Sequence, residues 1–171
     1  HGAYSGFWIR DPKPRHIHKA TVRDRVLHHA IFNILNPIFE PTFISHSFSC
    51  RIGKGTHKGI EALKWIADKT SRNGHQNIFA LKCDIKKFFN SVDHDILLKI
   101  LGEKIKDTNA MWLLSEIVKS FISKDANVFE RKGLPIGNLT SQLFANVYMN
   151  EFDQFMKQEI KARYYLRYTD D

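Results

Sequence analysis

The sequence predicts an α+β fold in which strands alternate with helices that cover one face of a sheet, and three observations carry this prediction. Residues 78–83 alternate as a short strand that ends at Asp84. Residues 163–168 form a second strand-like run, rich in Tyr, that ends at the pair Asp170 and Asp171. Before and between these runs, residues 21–35 and 142–161 repeat apolar side chains at helical spacing.

Taken in order, residues 1–20 mix aromatic and basic side chains with Pro12 and Pro14, and residues 15–19 read as a short strand. Thr21 is the expected N-cap of an amphipathic helix whose inward residues are Val22, Val26, Leu27, Ala30, Ile31, Ile34 and Leu35, with Pro37 as its stop. Gly53 and Gly55 flank Lys54 in a loop, after which Thr56 caps a helix carrying Ile60, Leu63, Ile66 and Ala67. A polar loop at 71–76 leads into the first strand, which places Phe79, Leu81 and Cys83 on one face and Ala80, Lys82 and Asp84 on the other. Ser91 or Asp93 caps a helix over 95–101, and a further helix over 110–121 presents Met111, Leu114, Ile117, Val118 and Phe121 on one face. Residues 127–136 read as a strand or hairpin around Gly133 that enters a glycine turn at Gly137. Thr140 or Ser141 then begins a long helix with Leu143, Phe144, Val147, Tyr148, Phe152, Phe155 and Met156 facing inward. Trp8, Trp65 and Trp112 are assigned to packing.

A chain of 171 residues with 43% hydrophobic content suffices for one domain with a sizeable core. No run approaches the roughly 18 uncharged apolar residues of a membrane span. The chain opens His-Gly without a Met or a signal peptide, so its start reads as that of an excised piece. Cys50 and Cys83, the only cysteines, lack metal-ligand spacing and read as reduced packing residues of a cytoplasmic protein. All nine histidines lie between His1 and His94, but without cysteine partners or zinc-site spacings a zinc site is rejected. The formal charge of +8 is concentrated early: residues 1–60 hold nine Lys/Arg against three Asp/Glu, and residues 61–171 hold seventeen against fifteen. Such a basic first third suits a phosphate backbone or a triphosphate, or else is a solvated surface.

A lone Asp84 at a strand end reads as a turn or cap residue. Adjacent acids such as Asp170 and Asp171, however, gain little from each other unless a cation lies between them. If the two strands lie side by side, Asp84 and Asp170 approach one point and can hold divalent metals through oxygen ligands, as Mg²⁺ prefers. Two such ions about 3.5–4 Å apart stabilise the attacking and leaving oxygens of a phosphoryl transfer. The glycine loop adds a second anion-binding feature, since exposed backbone N–H groups, a helix N-terminus, Arg51, Lys54 and Lys58 meet there, although an ordinary turn explains the same residues.

Three segments together carry a family resemblance: Asp84 with Phe89 five residues on, Gly133-Leu-Pro-Ile-Gly-Asn-Leu-Thr-Ser-Gln142, and Tyr168-Thr-Asp-Asp171. They resemble, in order, the palm motifs of reverse transcriptases, and the likeness runs from about Arg15 to Asp171. The resemblance implies a right-hand polymerase fold, with an antiparallel sheet covered by helices on one face and truncated after the Tyr-Thr-Asp-Asp strand. It implies fingers over 1–77, a partial palm over 78–171 and no thumb. The implied activity is RNA-directed DNA synthesis with two Mg²⁺ ions, Mn²⁺ being a possible substitute. Asp84, Asp170 and Asp171 would be catalytic metal ligands, joined by the backbone carbonyl of Ile85. Arg51 and Lys54 would grip the incoming triphosphate, Phe89 would gate against a ribose 2′-hydroxyl, and Ile136 and Gly137 would lie against the nucleotide. The implied partners are an RNA template, a DNA or RNA primer, deoxynucleotides and an accessory protein, with no membrane, in a bacterial or phage-encoded cytoplasmic setting.

Two departures qualify the resemblance. Most members have Gln at the place of Ile136 and Pro at the place of Gln142; the Ile-Gly-x-x-x-Ser-Gln form is similar to that of diversity-generating retroelements, which make errors opposite adenine. Group II intron, retron and defence-associated types are the alternatives. The chain also stops at Asp171, so the 171 residues alone are expected to be weak or inactive, with a truncated sheet edge open to self-association. Outside this family, a non-catalytic RNA-binding module would explain the basic, aromatic first third, and a metal-dependent nuclease would also use the carboxylates.

Overall fold

The structure is a computed structural model that describes residues 1–10, 13–123, 126 and 130–171. Two compact units make up the chain, His1–Pro41 with Lys87–Tyr148, and Thr42–Lys86 with Met149–Asp171. The α+β class predicted from the sequence holds: the sheet is an antiparallel pair, β1 (Ser5–Arg10) and β2 (Pro14–Lys19), followed among the described residues by six α-helices.

In the first unit, β1 and β2 are in register with Trp8 opposite His16 and Gly6 opposite His18. The helices are α1 (Val22–Phe39), α3 (Phe88–Ser91), α4 (His94–Lys104), α5 (Thr108–Lys119) and the first part of α6 (Leu139–Gln158). The caps of α1, α4 and α5 are local and polar. The Thr21 Oγ1 accepts from the Asp24 N–H at 3.2 Å, the Asp93 carboxylate from Asp95 and Ile96, and the Asp107 carboxylate from Ala110 at 2.8 Å. Ile31 and Leu35 of α1, Leu97 and Leu101 of α4, Leu114, Ile117 and Val118 of α5, and Leu143, Phe144 and Val147 of α6 are buried with Phe88, Val92 and Leu134. Burying apolar area of this extent is the main term holding the unit together.

Helix α1 is rotated from its expected face. Asp24, His28, Ile31, Leu35 and Phe39 are buried, while Val22, Val26 and Ile34 are exposed. The buried polar groups are accommodated because each has a partner. Asp24 accepts from the Gly2 N–H at 2.9 Å and the Thr21 hydroxyl at 2.7 Å, and His28 Nδ1 lies 2.8 Å from Thr140 Oγ1. Pro37 does not stop α1 but lies inside it, and burial of Phe39, two residues on, favours continuing the helix. Trp8, Trp65 and Trp112, expected to pack, are 70, 54 and 65% exposed. Of the strand or hairpin expected over 127–136, residues 127–129 lie outside the described residues, as does Pro12; Lys132 forms an isolated antiparallel bridge to Asp93.

The second unit has little apolar interior, with Phe43, Phe48 and Met149 buried. Its helix α2 (Thr56–Thr70) buries Gly59 against the Phe48 ring, 3.5 Å from where a Cβ would stand. Thr56 does not cap this helix: Gly55 does, with φ +109° and no side-chain bond. Residues 78–83 belong to no strand, and Phe79 and Leu81 are 99 and 92% exposed. Alternation alone cannot make a strand without a ladder partner, and none is present among the described residues. Cys50 and Cys83 are exposed rather than packed. At the end of α6, Phe152 and Phe155 are half exposed while Asp153 is fully buried, the reverse of the expected pattern. No helix among the described residues is long and apolar enough to cross a membrane.

Candidate active site

The four expected metal-ligand residues, Asp84, Ile85, Asp170 and Asp171, come from two chain segments of the second unit, and one backbone hydrogen bond joins those segments. The Ile85 N–H donates to the Asp170 carbonyl at 3.3 Å, so the peptide following Asp84 lies against Asp170. Asp84 and Asp171 are exposed and Asp170 is half-buried. The Lys82 ammonium sits 3.1 Å from Asp171 Oδ1, so a cation already occupies this carboxylate. Oxygen donors open to solvent are what Mg²⁺ takes, and on this chemistry the residues fit the metal that the sequence resemblance implies. Among the described residues no three acidic, His or Cys side chains already converge as a ready cage.

The turn carrying these acids is tight. Tyr168 and Asp171 exchange backbone hydrogen bonds at 2.9 and 3.2 Å, which leaves Thr169 and Asp170 as the central pair. Thr169 has φ +60°. A β-branched residue in the left-handed region costs on the order of 1–3 kcal/mol and persists only where its surroundings fix it.

Those surroundings centre on Arg167, which is 2% exposed. Its Nε donates to both oxygens of Asp153 at 2.8 and 3.0 Å, and its Nη2 donates to Asp153 Oδ2 at 2.8 Å and to Ser47 Oγ at 3.0 Å. Its Nη1 donates to the Thr169 carbonyl at 2.6 Å. The Thr169 hydroxyl donates to Ser49 Oγ at 2.6 Å, and the Tyr165 hydroxyl donates to Asp153 Oδ1 at 2.7 Å. Burial, then the Asp153 hydrogen bond and charge, push the Tyr165 phenol well above its ordinary value, so it remains a donor at any working pH. The backbone of Arg167 is fixed as well: its N–H donates to His46 and its carbonyl accepts from Phe48, forming a parallel bridge at Ser47.

Arg167 and Asp153 escaped the sequence reading because hydrophobic periodicity passes over them. The available signal was Asp153 itself, a carboxylate spaced from Met149 and Met156 as an inward residue would be, which demands a buried cationic partner.

The basic loop occupies the same unit. Arg51 Nη1 donates to the Ile44 and Ser47 carbonyls at 2.7 and 2.8 Å, with the guanidinium 5.3 Å from the Phe43 ring centroid. Lys54 Nζ donates to the Ser45 carbonyl at 2.9 Å and lies 5.4 Å from the Phe48 centroid. These contacts fix both head groups beside the loop whose Gly53 and Gly55 take positive φ. Lys58 instead pairs with Glu61 at 2.8 Å. The Tyr168 and Thr56 hydroxyls meet at 2.8 Å, tying the acidic turn to the first residue of α2.

The remaining expected residues, Phe89, Ile136 and Gly137, belong to the first unit. Phe88 is the core ring, 3% exposed, and meets half-buried Phe89 edge-on at 5.4 Å. The Phe89 carbonyl accepts from the Leu134 N–H at 2.6 Å. The Ile136 carbonyl accepts from the His18 N–H at 2.8 Å, and Asn138 Nδ2 donates to the His18 carbonyl at 3.2 Å, so β2 holds the turn from its edge. Gly137 has φ +115°, and a Cβ there would stand 2.7 Å from Ile17 Cγ2, so no other residue fits unstrained.

The profile of a family described as "Reverse transcriptase (RNA-dependent DNA polymerase)" matches residues 10–171. Among curated proteins, the chain is 29% identical over 140 residues to Protein YkfC of Escherichia coli (strain K12), covering 80% of this chain and 36% of that protein. It is 29% identical over 141 residues to the group II intron-encoded protein LtrA of Lactococcus lactis subsp. cremoris, covering 81% and 22%. It is 26% identical over 136 residues to an uncharacterized 91 kDa protein in the cob intron of Schizosaccharomyces pombe, covering 79% and 16%. The chain thus spans well under half the length of each of these relatives.

Proposed function

The chain belongs to the reverse transcriptase (RNA-dependent DNA polymerase) family, and from that premise we propose that it carries the active centre of an enzyme that copies an RNA template into DNA. The observation that supports this most directly is the Ile85 N–H to Asp170 carbonyl hydrogen bond, which brings the Asp84 and Asp170 segments together. The primer 3′-hydroxyl attacks the α-phosphate of a deoxynucleotide, an O–P bond forms, and the bond to the β-phosphate breaks with release of pyrophosphate. Asp84, Asp170, Asp171 and the Ile85 carbonyl would hold Mg²⁺ or Mn²⁺; divalent ions, when bound, neutralise the attacking and leaving oxygens. Arg51 and Lys54 bind the triphosphate by charge. Phe89 excludes a ribose 2′-hydroxyl by contact, and Ile136 and Gly137 line the nucleotide.

Within the family two subgroups compete. Two of the three relatives above carry intron-protein names, which favours a group II intron-type enzyme. The apolar Ile136 can donate no side-chain hydrogen bond, which favours the error-prone retroelement type. The fingers and palm division at 77/78, a cytoplasmic setting and an accessory protein complete the proposal.

Primer extension on an RNA template, by the full protein carrying this chain, tests it. The expected result is Mg²⁺-dependent lengthening that Asp84→Ala abolishes, with errors concentrated at template adenines if the retroelement type is right and spread evenly if the intron type is. Phe89→Ala is expected to raise ribonucleotide incorporation. Shortening of the labelled strand would mark a nuclease, and RNA binding indifferent to Mg²⁺ and to Asp84→Ala, without extension, would mark a binding module.

A further inference from the structure

We infer that the buried Arg167–Asp153 ion pair is the positioning device of the catalytic carboxylates, setting the peptide plane from which Asp170 projects; this rests on the polymerase reading above. The Thr169 carbonyl that takes the Arg167 Nη1–H at 2.6 Å belongs to the peptide whose nitrogen is that of Asp170. Fixing that oxygen fixes the plane, and with the reciprocal Tyr168–Asp171 bonds it fixes where the Asp170 and Asp171 side chains leave the backbone.

Three features separate this role from simple packing. Thr169 sits at φ +60°, a conformation that relaxes unless held, and it is held at its carbonyl by Arg167 and at its hydroxyl by Ser49. The pair is bidentate, with Nε on Asp153 Oδ1 and Nη2 on Asp153 Oδ2, and such a fork fixes direction as well as distance. A buried ion pair also adds little net stability over apolar side chains of similar volume. The position of Arg167 two residues before the strained Thr169 suits it to orientation, which non-directional apolar contact cannot supply. Ser47, Ser49 and Tyr165 complete the frame, and none of them carries a charge that could bind metal.

The test uses the full protein carrying this chain, with Mn²⁺ alone as probe. Mn²⁺ affinity is read by electron paramagnetic resonance without nucleotide or nucleic acid, beside the Mg²⁺ concentration for half-maximal primer extension and the thermal unfolding midpoint. In the double variant Asp153→Leu/Arg167→Met, the midpoint is expected to stay near the parent's while the Mn²⁺ dissociation constant and the Mg²⁺ requirement both rise about 10- to 100-fold, the range for loss of groups that orient metal ligands. High Mg²⁺ is expected to restore extension in part, and RNA affinity to remain unchanged. Should the double variant fail to fold, Arg167→Lys serves: it keeps the charge beside Asp153 but cannot span both Asp153 and Thr169, so Mn²⁺ affinity is expected to fall by about tenfold. A folded variant of either kind with parental Mn²⁺ affinity and Mg²⁺ requirement overturns the inference. Asp84→Ala separates the two levels: if it abolishes Mn²⁺ binding and extension while the Arg167 variants change neither, the positioning role alone fails. If Asp84→Ala leaves both intact, the polymerase reading fails with it.

Discussion

The two units bury their side chains for different ends. In the first, Leu35, Phe88, Leu97, Leu114 and Phe144, one from each of five helices, belong to an apolar interior, and buried polar groups make isolated contacts, His28 with Thr140 Oγ1 and His1 Nε2 and His94 Nε2 with the Gly133 carbonyl. In the second, the most deeply buried side chains are Arg167, Asp153 and Ser47, joined in one hydrogen-bonded frame, while Phe79 and Leu81 are left in solvent. Apolar burial is strong but tolerant of small rotations, whereas charged hydrogen bonds hold a few atoms at fixed angles. The unit with the acidic turn is the one built on direction.

Truncation of one deeply buried side chain in each unit tests that contrast most strongly. Phe144→Ala in the first unit is expected to cost about 3–5 kcal/mol, since the cavity collapses only partly. Asp153→Ala in the second is expected to cost a similar amount, about 3–5 kcal/mol, for another reason: it strands the buried Arg167 charge. The two differ under repair. Adding Arg167→Met to an apolar replacement of Asp153 should recover most of the loss in urea unfolding, while no second-site charge removal should help Phe144→Ala. Failure of the apolar pair to recover stability would mean that the frame supports the second unit as a whole rather than orienting its turn.

A smaller effect is expected with pH. Burial holds His28 below the ordinary histidine value of 6.5, and burial followed by the Lys157 and Lys54 charges does the same for His46. In each case the unfolded chain binds the proton first. The associated stability is therefore complete above about pH 6.5 and is lost as pH falls toward the depressed folded value, with a slope of at most about 1.4 kcal/mol per pH unit per histidine. Unfolding midpoints at pH 7.5 and 5.5 for the parent and His28→Gln check this, a flatter profile in the variant being expected. Asp107→Ala, which removes the α5 cap, should cost about 1 kcal/mol. Smallest of all is Glu61→Gln, which removes an ion pair exposed on both sides and should leave the midpoint unchanged within error.

The sequence alone determined the helices and their caps wherever a local rule sufficed. Thr21 was legible, and Asp93 as one of two candidates beside Ser91, because capping depends on the next three residues; residues 15–19 were legible as a short strand. The acids at 84, 170 and 171 and the glycine turn at 137 were legible as motifs, since their spacing in the chain is itself the signal. What required the tertiary structure was everything set by a partner distant in sequence. Residues 78–83 alternate like a strand yet find no ladder partner among the described residues, and the outward faces of α1 and of the end of α6 went to apolar residues because Asp24, His28 and Asp153 had buried partners waiting. Ser47 and Arg167 lie 120 residues apart. Periodicity reports which residues could share a face; only the assembled chain decides which polar atoms meet, because a hydrogen bond is worth making inside a protein only where both its ends arrive together.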